Sequence, residues 1–591
     1  MTSVNGWTID VWAPHAERVE LDTGDRVLPM LRATRPGWWH IPLGPVGPAS
    51  SYAFRLDGGP PRPDPRSRRQ PHGVHAPSAL DDPAAFPWTD SLWTGRPLRG
   101  AVIYELHIGT FTTEGTLDSA IAKLDHLEAL GIDFVELMPV AAFNGEHGWG
   151  YDGVALWAVH EPYGGPEVLR RFVDACHAHG LGVLLDVVYN HLGPSGNYLA
   201  EFGPYFNDAH VTPWGSAVNL DGAGSDEVRA FLVDNALFWL RDNHLDGLRL
   251  DAVHALADTR AVHLLEELAE AVDALAARTG RELHLIAETD RNDPKTVTPR
   301  SQGGLGLSAQ WSDDFHHALH SALTGERQGY YCDFGELAAL EKTLTSVFFH
   351  DGTYSTFRGR HHGRPVDTEA LDADRFVVSL QTHDQVGNRA QGDRIGAALS
   401  EGMRRIGAAL LLTSPFTPQL FMGEEWGAST PWQYFTDHPE PDLAQAVRDG
   451  RRAEFAAYGW PPDQVPDPQD PNTFAHSALT WDEVEREPHK GLLEWYRALI
   501  ALRRAESDLA DPGFASVSAH FDEDQRWIVV HRGSLRVAAN LSPDRRSIPL
   551  PASEPLLASA DGVEILDGTL ILPPESVAIL RAADLPPTAS R

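Results

Sequence analysis

Between Val102 and Met422 the sequence repeats short apolar runs separated by longer stretches, and this alternation constrains the fold more than any other feature. The runs are VIYELHI, FVELMPV, GVLLDVVYN, DGLRLD, ELHLIAE, LSAQW, RFVVSL and PQLFM. Helical periods fall over Leu117 to Leu130, Pro166 to His179, Glu227 to Asp242 and Ala261 to Ala277. A parallel strand needs a crossover to reach its partner, so strand and helix in alternation predict a parallel sheet. Eight such strands close a barrel, and no phosphate-cradling glycine fingerprint follows the first, as a dinucleotide-binding doubly wound sheet requires. The fold class is α/β with a central (β/α)8 TIM barrel.

The flanks read differently. From Trp7 to Leu56 the runs WTIDVW, RVELD, WWHIPL and SYAFRLD alternate with period two between Gly and Pro breaks, the pattern of antiparallel strands. The proline-rich stretch PPRPDPRSRRQPHGVHAPS then removes ladder donors and sets a boundary near Leu98. Beyond Ser507 the alternation returns in RWIVVHR, LRVAANL and VAILRAA, predicting a C-terminal antiparallel β domain. A chain of 591 residues exceeds one hydrophobic core, and the expected division is 1–98, 99–506 and 507–591.

Composition narrows the partners. A formal charge of -35 repels a phosphate backbone, which excludes nucleic acid. Two cysteines, Cys176 and Cys332, are too few for a disulfide framework, and the amino-terminal MTSVNGWTIDVWAP has neither a basic nor an apolar signal region. No run approaches the ~20 apolar residues of a membrane span. The expectation is a cytoplasmic protein with no membrane partner.

Polar residues end several predicted strands: His107, Asp186 with Asn190 and His191, Arg249 with Asp251, Glu288, and His383 with Asp384. Carboxyl-terminal strand ends converge on one face of a barrel, where active sites are built. An isolated acid after a strand is more often a helix cap; several in register are not explained that way. Two facing carboxyls suit glycoside hydrolysis, which needs one to attack and one to protonate the leaving oxygen, and Asp251 and Glu288 fit. Arg249 lies two residues before Asp251, so both side chains share a face and the guanidinium keeps the aspartate ionised. Histidines commonly fill cores, but His191 and His383 each neighbour a polar strand end, and the expectation is that they donate to sugar hydroxyls. Trp149, Trp214, Trp311 and Trp426 fall in predicted loops, where rings stack on pyranose faces or fill a core. Tyr151 and Asp152 sit in the Gly-rich loop GEHGWGYDG after the second strand. No HExxH or CxxC is present, so no metal site is expected.

The segments DVVYNH, GLRLDAVHA, LIAETD and THDQVGN resemble the four short regions of the α-amylase family of glycoside hydrolases, and the resemblance spans Val102 to about Trp426. It implies Asp251 as nucleophile, Glu288 as general acid and base, and Asp384 as a third carboxylate stabilising the transition state. Retention of configuration follows, with carboxyls of Asp251 and Glu288 about 5 to 5.5 Å apart. Tyr151, Asp152, His191, Arg249, His254, His383, Trp149 and Asp313 complete the expected substrate-binding set. DPRSRRQPHGVHAPS, AETDRNDPK, WSDDFHHALHSALTGERQGYYCDF and THDQVGNRAQGDR are similar to those family members that release trehalose from maltooligosyl trehalose. That likeness implies an N-terminal β-sandwich, α-1,4-glucan substrates, no cofactor, and functional coupling to a maltooligosyl trehalose synthase. The loop bearing Asp313, Asp314, His316 and His317 is then the candidate for trehalose recognition, with a capped helix start as its alternative. Thr382 stands where many relatives carry Asn. A 1,4-α-glucan branching transferase and a catalytically inactive glucan-binding protein remain open beside the hydrolase.

Overall fold

The computed structural model describes residues 8–42, 51–456 and 460–582. Trp7, Leu43 and Ala583, at the edges of three predicted runs, lie outside them. Eight parallel strands close a barrel in chain order: Ile103–Leu106, Phe134–Leu137, Gly182–Val187, Gly247–Leu250, His284–Ala287, Ala309–Trp311, Phe376–Ser379 and Thr417–Phe421. All eight coincide with predicted runs. They are buried on both faces, which is why they read as continuous apolar runs rather than as alternating ones.

The first predicted helix divides in two, Leu117–Ile121 and Leu124–Leu130. No Gly or Pro marks the break at Ala122 and Lys123. Packing sets it: Leu117, Ala120, Leu124, Leu127 and Leu130 are all buried, and the Lys123 ammonium lies 4.2 Å from the Trp481 ring centroid. The helix predicted from Glu227 runs Ser225–Leu237 and continues as a π turn, Phe238–Asp242. Several insertions carried no sequence expectation. A hairpin, Phe206–Thr212 with Gly215–Val218, follows the third strand, and a helix Leu337–Ser346 with a short hairpin at 354–361 follows the sixth.

Two antiparallel sheets precede the barrel, one from Thr8–Trp12, Trp38–Pro42 and Leu31–Arg32, the other from Val27–Pro29, Val19–Asp22, Ser51–Leu56 and Ser78–Ala79. They form the N-terminal sandwich, which docks on the barrel through Trp12 edge-on to Tyr205 and Phe54 edge-on to Phe202. The proline-rich stretch is no loose spacer. It pairs Ser78 with Tyr52, lays Arg68 over Phe238, and leads to Trp88 stacked on His244 and Trp93 donating to Asp246 at 2.7 Å. The C-terminal domain packs a five-stranded sheet against a three-stranded one around Val529, Ile548, Leu570 and Leu580. Arg532, fully buried, ties it to the barrel by donating to the carbonyl of Thr413, and within its own segment it donates to those of Asp508, Leu509 and Asp511.

Candidate active site

Parallel register brings the polar strand ends to one level, with Asp186 beside Arg249 and Arg249 beside Ile286 two residues before Glu288. Arg249 has no exposed surface. Its Nη1 donates to both Asp186 oxygens at 2.9 and 3.0 Å and to Asp251 Oδ1 at 2.6 Å, while Nη2 lies 3.9 Å from Glu288 Oε2. Asn190 donates its side-chain amide to Asp251 Oδ2 and to the Asp251 carbonyl, both at 2.8 Å. One guanidinium and one amide thus aim the Asp251 carboxylate and hold charge beside it.

Glu288 is held differently. Its Oε2 accepts the Ala252 N–H at 2.6 Å, and Ala252 takes φ 39, a strained conformation for a residue with a Cβ. Burial pushes the Glu288 carboxyl up to about 8, with Asp251, Asp384 and Asp313 adding to the rise against the pull of Arg249. The two carboxyls therefore sit in different surroundings: Asp251 is bound by cationic and amide donors, while burial raises the pKa of Glu288.

After the seventh strand, a helix of five residues, His383–Gly387, carries both His383 and Asp384. Thr382 caps it, accepting the Asp384 N–H on Oγ1 at 3.2 Å, and Gln385 Oε1 accepts the Thr382 N–H at 2.7 Å. Asn caps a helix as well as Thr does. We expect Thr382→Ala to cost about 1 kcal/mol and Thr382→Asn only a few tenths, read from urea unfolding midpoints. Equal losses in both would contradict the cap. Asp384 itself is half-exposed, 3.4 Å from His383 Nε2.

The expected substrate-binding residues divide into groups. Tyr151 donates to Asp186 Oδ2 at 2.6 Å and stacks on His383, lining the same cleft. Asp152 is held beside His438 at 3.8 Å, and the chain turns so tightly there that a Cβ on Gly193 would meet the Asp152 carbonyl at 2.0 Å. His191 spends both ring nitrogens on protein, on Asn190 Oδ1 and the Tyr151 carbonyl, and offers its face to Trp214, stacked at 4.4 Å. Trp149 is largely buried, stacked on Trp432 with Nε1 donating to Gln433. His254 lies half-buried with Nδ1 4.0 Å from Asp290. Asp313 opens the helix Asp313–Thr324, and burial, with Asp384 and Asp314 nearby, pushes its carboxyl up to about 7.

Two expectations need correction. Asp314 and His316 belong to the fold: Asp314 accepts from the N–H groups of Phe349 and His350 and from Asn292, and His316 bridges the Leu380 carbonyl and the Tyr331 hydroxyl. Trp311 is the last residue of the sixth strand rather than a loop residue, lying under the Arg249 guanidinium at 4.5 Å. Trp426 lies in a turn as expected and takes the core alternative, with no exposed surface between His126 and Trp481. One residue of the cleft, Glu105, was missed by the sequence reading. It sits in the first strand with 1% exposure against His383, and a charge in an apolar barrel strand, on the same face as Ile103, was the signal available.

Residues 84–208 match the alpha amylase catalytic domain model, and residues 512–579 match a domain of unknown function. A crystal structure from Salmonella typhimurium assigned as an alpha amylase superposes with a TM-score of 0.90 at 38% identity, covering 98% of each chain. A pullulanase from Paenibacillus barengoltzii superposes at 0.72 with 18% identity, covering 98% of this chain and 94% of its own, which is likeness of fold. The barrel, its paired carboxyls and the match of residues 84–208 to the alpha amylase catalytic domain define an α-amylase-type glycoside hydrolase. The chain is 55% identical to a malto-oligosyltrehalose trehalohydrolase of a Rhizobium species, over 97% of both chains. It is 58% identical to that of Arthrobacter ramosus, over 91% of this chain and 93% of the other. The chain belongs to the malto-oligosyltrehalose trehalohydrolase family.

Proposed function

We propose that the protein hydrolyses maltooligosyl trehalose at the α-1,4 bond next to the terminal trehalose, releasing trehalose and a maltooligosaccharide. The observation that carries the chemistry is the Arg249 guanidinium reaching both Asp251 and Glu288 in one cleft. Near-full-length identity to trehalohydrolases supports the choice of substrate. In this reading Asp251 attacks C1 of the glucosyl unit while Glu288 protonates the departing trehalose oxygen. Glu288, now a carboxylate, then takes a proton from the water that hydrolyses the glucosyl ester. Asp384 holds ring hydroxyls as charge develops at C1, and Asp313 serves the trehalose side. Supply of the substrate by a maltooligosyl trehalose synthase belongs to the same reading, and so does a cytoplasmic location, supported by two unbridged cysteines. Among the described residues no helix is long and apolar enough to cross a membrane.

Two displacements at one carbon leave its configuration unchanged. Proton NMR of the fresh maltooligosaccharide should therefore show the α anomer first; the β anomer first would contradict a double displacement. A branching transferase is the rival enzyme, and the chain is 31% identical to a Bacillus cereus 1,4-alpha-glucan branching enzyme over 52% of its length. Iodine staining of treated amylose separates the two, since branching reddens the complex without releasing trehalose.

A further inference from the structure

Glu105 has no part in the reaction just described, yet it stands almost fully buried, paired in register with a second buried glutamate, Glu136. A carboxylate in such a place requires a partner. Here the partner is His383. Glu105 Oε1 lies 2.5 Å from the ring Nδ1, and Oε2 accepts the His383 backbone N–H at 3.0 Å. This two-point grip sets the direction of the ring and the first turn of the helix that carries Asp384.

On its other edge the ring brings Nε2 to 2.8 Å from the Tyr151 hydroxyl and 3.4 Å from Asp384 Oδ1. The Tyr151 hydroxyl has one proton, and it points to Asp186 Oδ2 at 2.6 Å, where Asp186 already accepts from Arg249. The tyrosine oxygen is then left to accept from Nε2. In this arrangement both ring nitrogens donate, as the doubly protonated ring does.

We propose that Glu105 is a positioning residue for the glycoside cleavage, holding His383 as an imidazolium whose Nε2–H is aimed between Tyr151 and Asp384 at the mouth of the barrel. The inference rests on the glycosidase reading. The surrounding charges agree with it. Burial works against the charged ring, but Asp384 and Glu105 offset this and lift it to about 9, with Arg249 opposing. His107, also close, is pushed down to about 4 by burial and stays neutral, and Glu136 is pushed far up by burial and by Glu105, so it holds its proton. The competing arrangement places a proton on Asp186, which burial pushes up to about 7; Tyr151 would then donate to a neutral His383.

The sign follows from the raised value: the charged ring is present through neutral pH and lost as pH rises through about 9. Removing the Glu105 charge brings that loss to lower pH. The test is a titration of the full chain carrying ¹⁵N-labelled histidine, with the His383 signals assigned by their disappearance in His383→Asn, beside pH profiles of wild type, Glu105→Gln and Glu105→Asp. At about pH 7.5 we expect a charged His383 in wild type and Glu105→Asp, and a neutral one in Glu105→Gln. In Glu105→Gln, kcat should fall on the order of 10²-fold with KM little changed, and the alkaline limb that follows His383, near pH 9 and above the one set by Glu288, should move down by a pH unit or more. A neutral ring in wild type overturns the inference. So does a folded Glu105→Gln whose ring stays charged or whose limb does not move. Should Glu105→Gln fail to fold, the wild-type titration still decides. Because it requires no turnover, failure there is distinct from failure of the substrate assignment.

Discussion

Asp251→Asn should lower turnover of maltooligosyl trehalose by about 10⁴-fold or more while leaving glucan affinity within a few-fold. The Asp251 carboxylate accepts from Arg249 Nη1 on one oxygen and from the Asn190 side-chain amide on the other, and the structure gives it no other work in the fold. An amide has the same shape and keeps an oxygen for one of those donors, so the cleft stays assembled. What it lacks is the negative charge that forms the bond to C1. Steady-state rates and titration calorimetry with maltotriosyl trehalose check the two halves. Turnover within 100-fold of wild type would sink the assignment of Asp251 as nucleophile.

In the proposed mechanism Glu288→Gln removes the proton donor, and it should cost about 10² to 10⁴-fold on maltooligosyl trehalose. The loss should shrink for the first step with α-glucosyl fluoride, because fluoride departs without protonation. Added azide should restore the second step by attacking without a general base. The same residue sets a pH limit. Its folded value is raised to about 8, so the acid form is present below that pH and is consumed as pH rises through it. Wild-type kcat/KM should therefore fall above about pH 8, and in Glu288→Gln that limb should vanish and leave only the fall near pH 9 that follows His383. A limb near pH 8 that survives the substitution would assign the proton to another group.

The barrel was legible because its strands are buried on both sides, and burial writes itself into a sequence as uninterrupted apolar runs. The catalytic candidates were legible because Asp251, Glu288 and Asp384 follow those runs directly. What escaped lacked a local signature. The division of Leu117 to Leu130 comes from packing against Trp481, some 350 residues away in the chain, and nothing between Ala122 and Lys123 announces it. The separation of Asp313 from Asp314 and His316 depends on which side of one helix turn meets the cleft and which meets Asn292, Phe349 and Leu380. Glu105 lay in a run already assigned to the barrel wall. Only contact with His383, 278 residues later, shows what its charge is for.

Incubation of the purified protein with maltotriosyl trehalose, beside maltopentaose and amylose, followed by chromatography of the products, tests the central claim most directly. The account predicts free trehalose and maltotriose from the first substrate, with slow attack on the other two. Branched products from amylose, or no reaction with maltotriosyl trehalose, would contradict it.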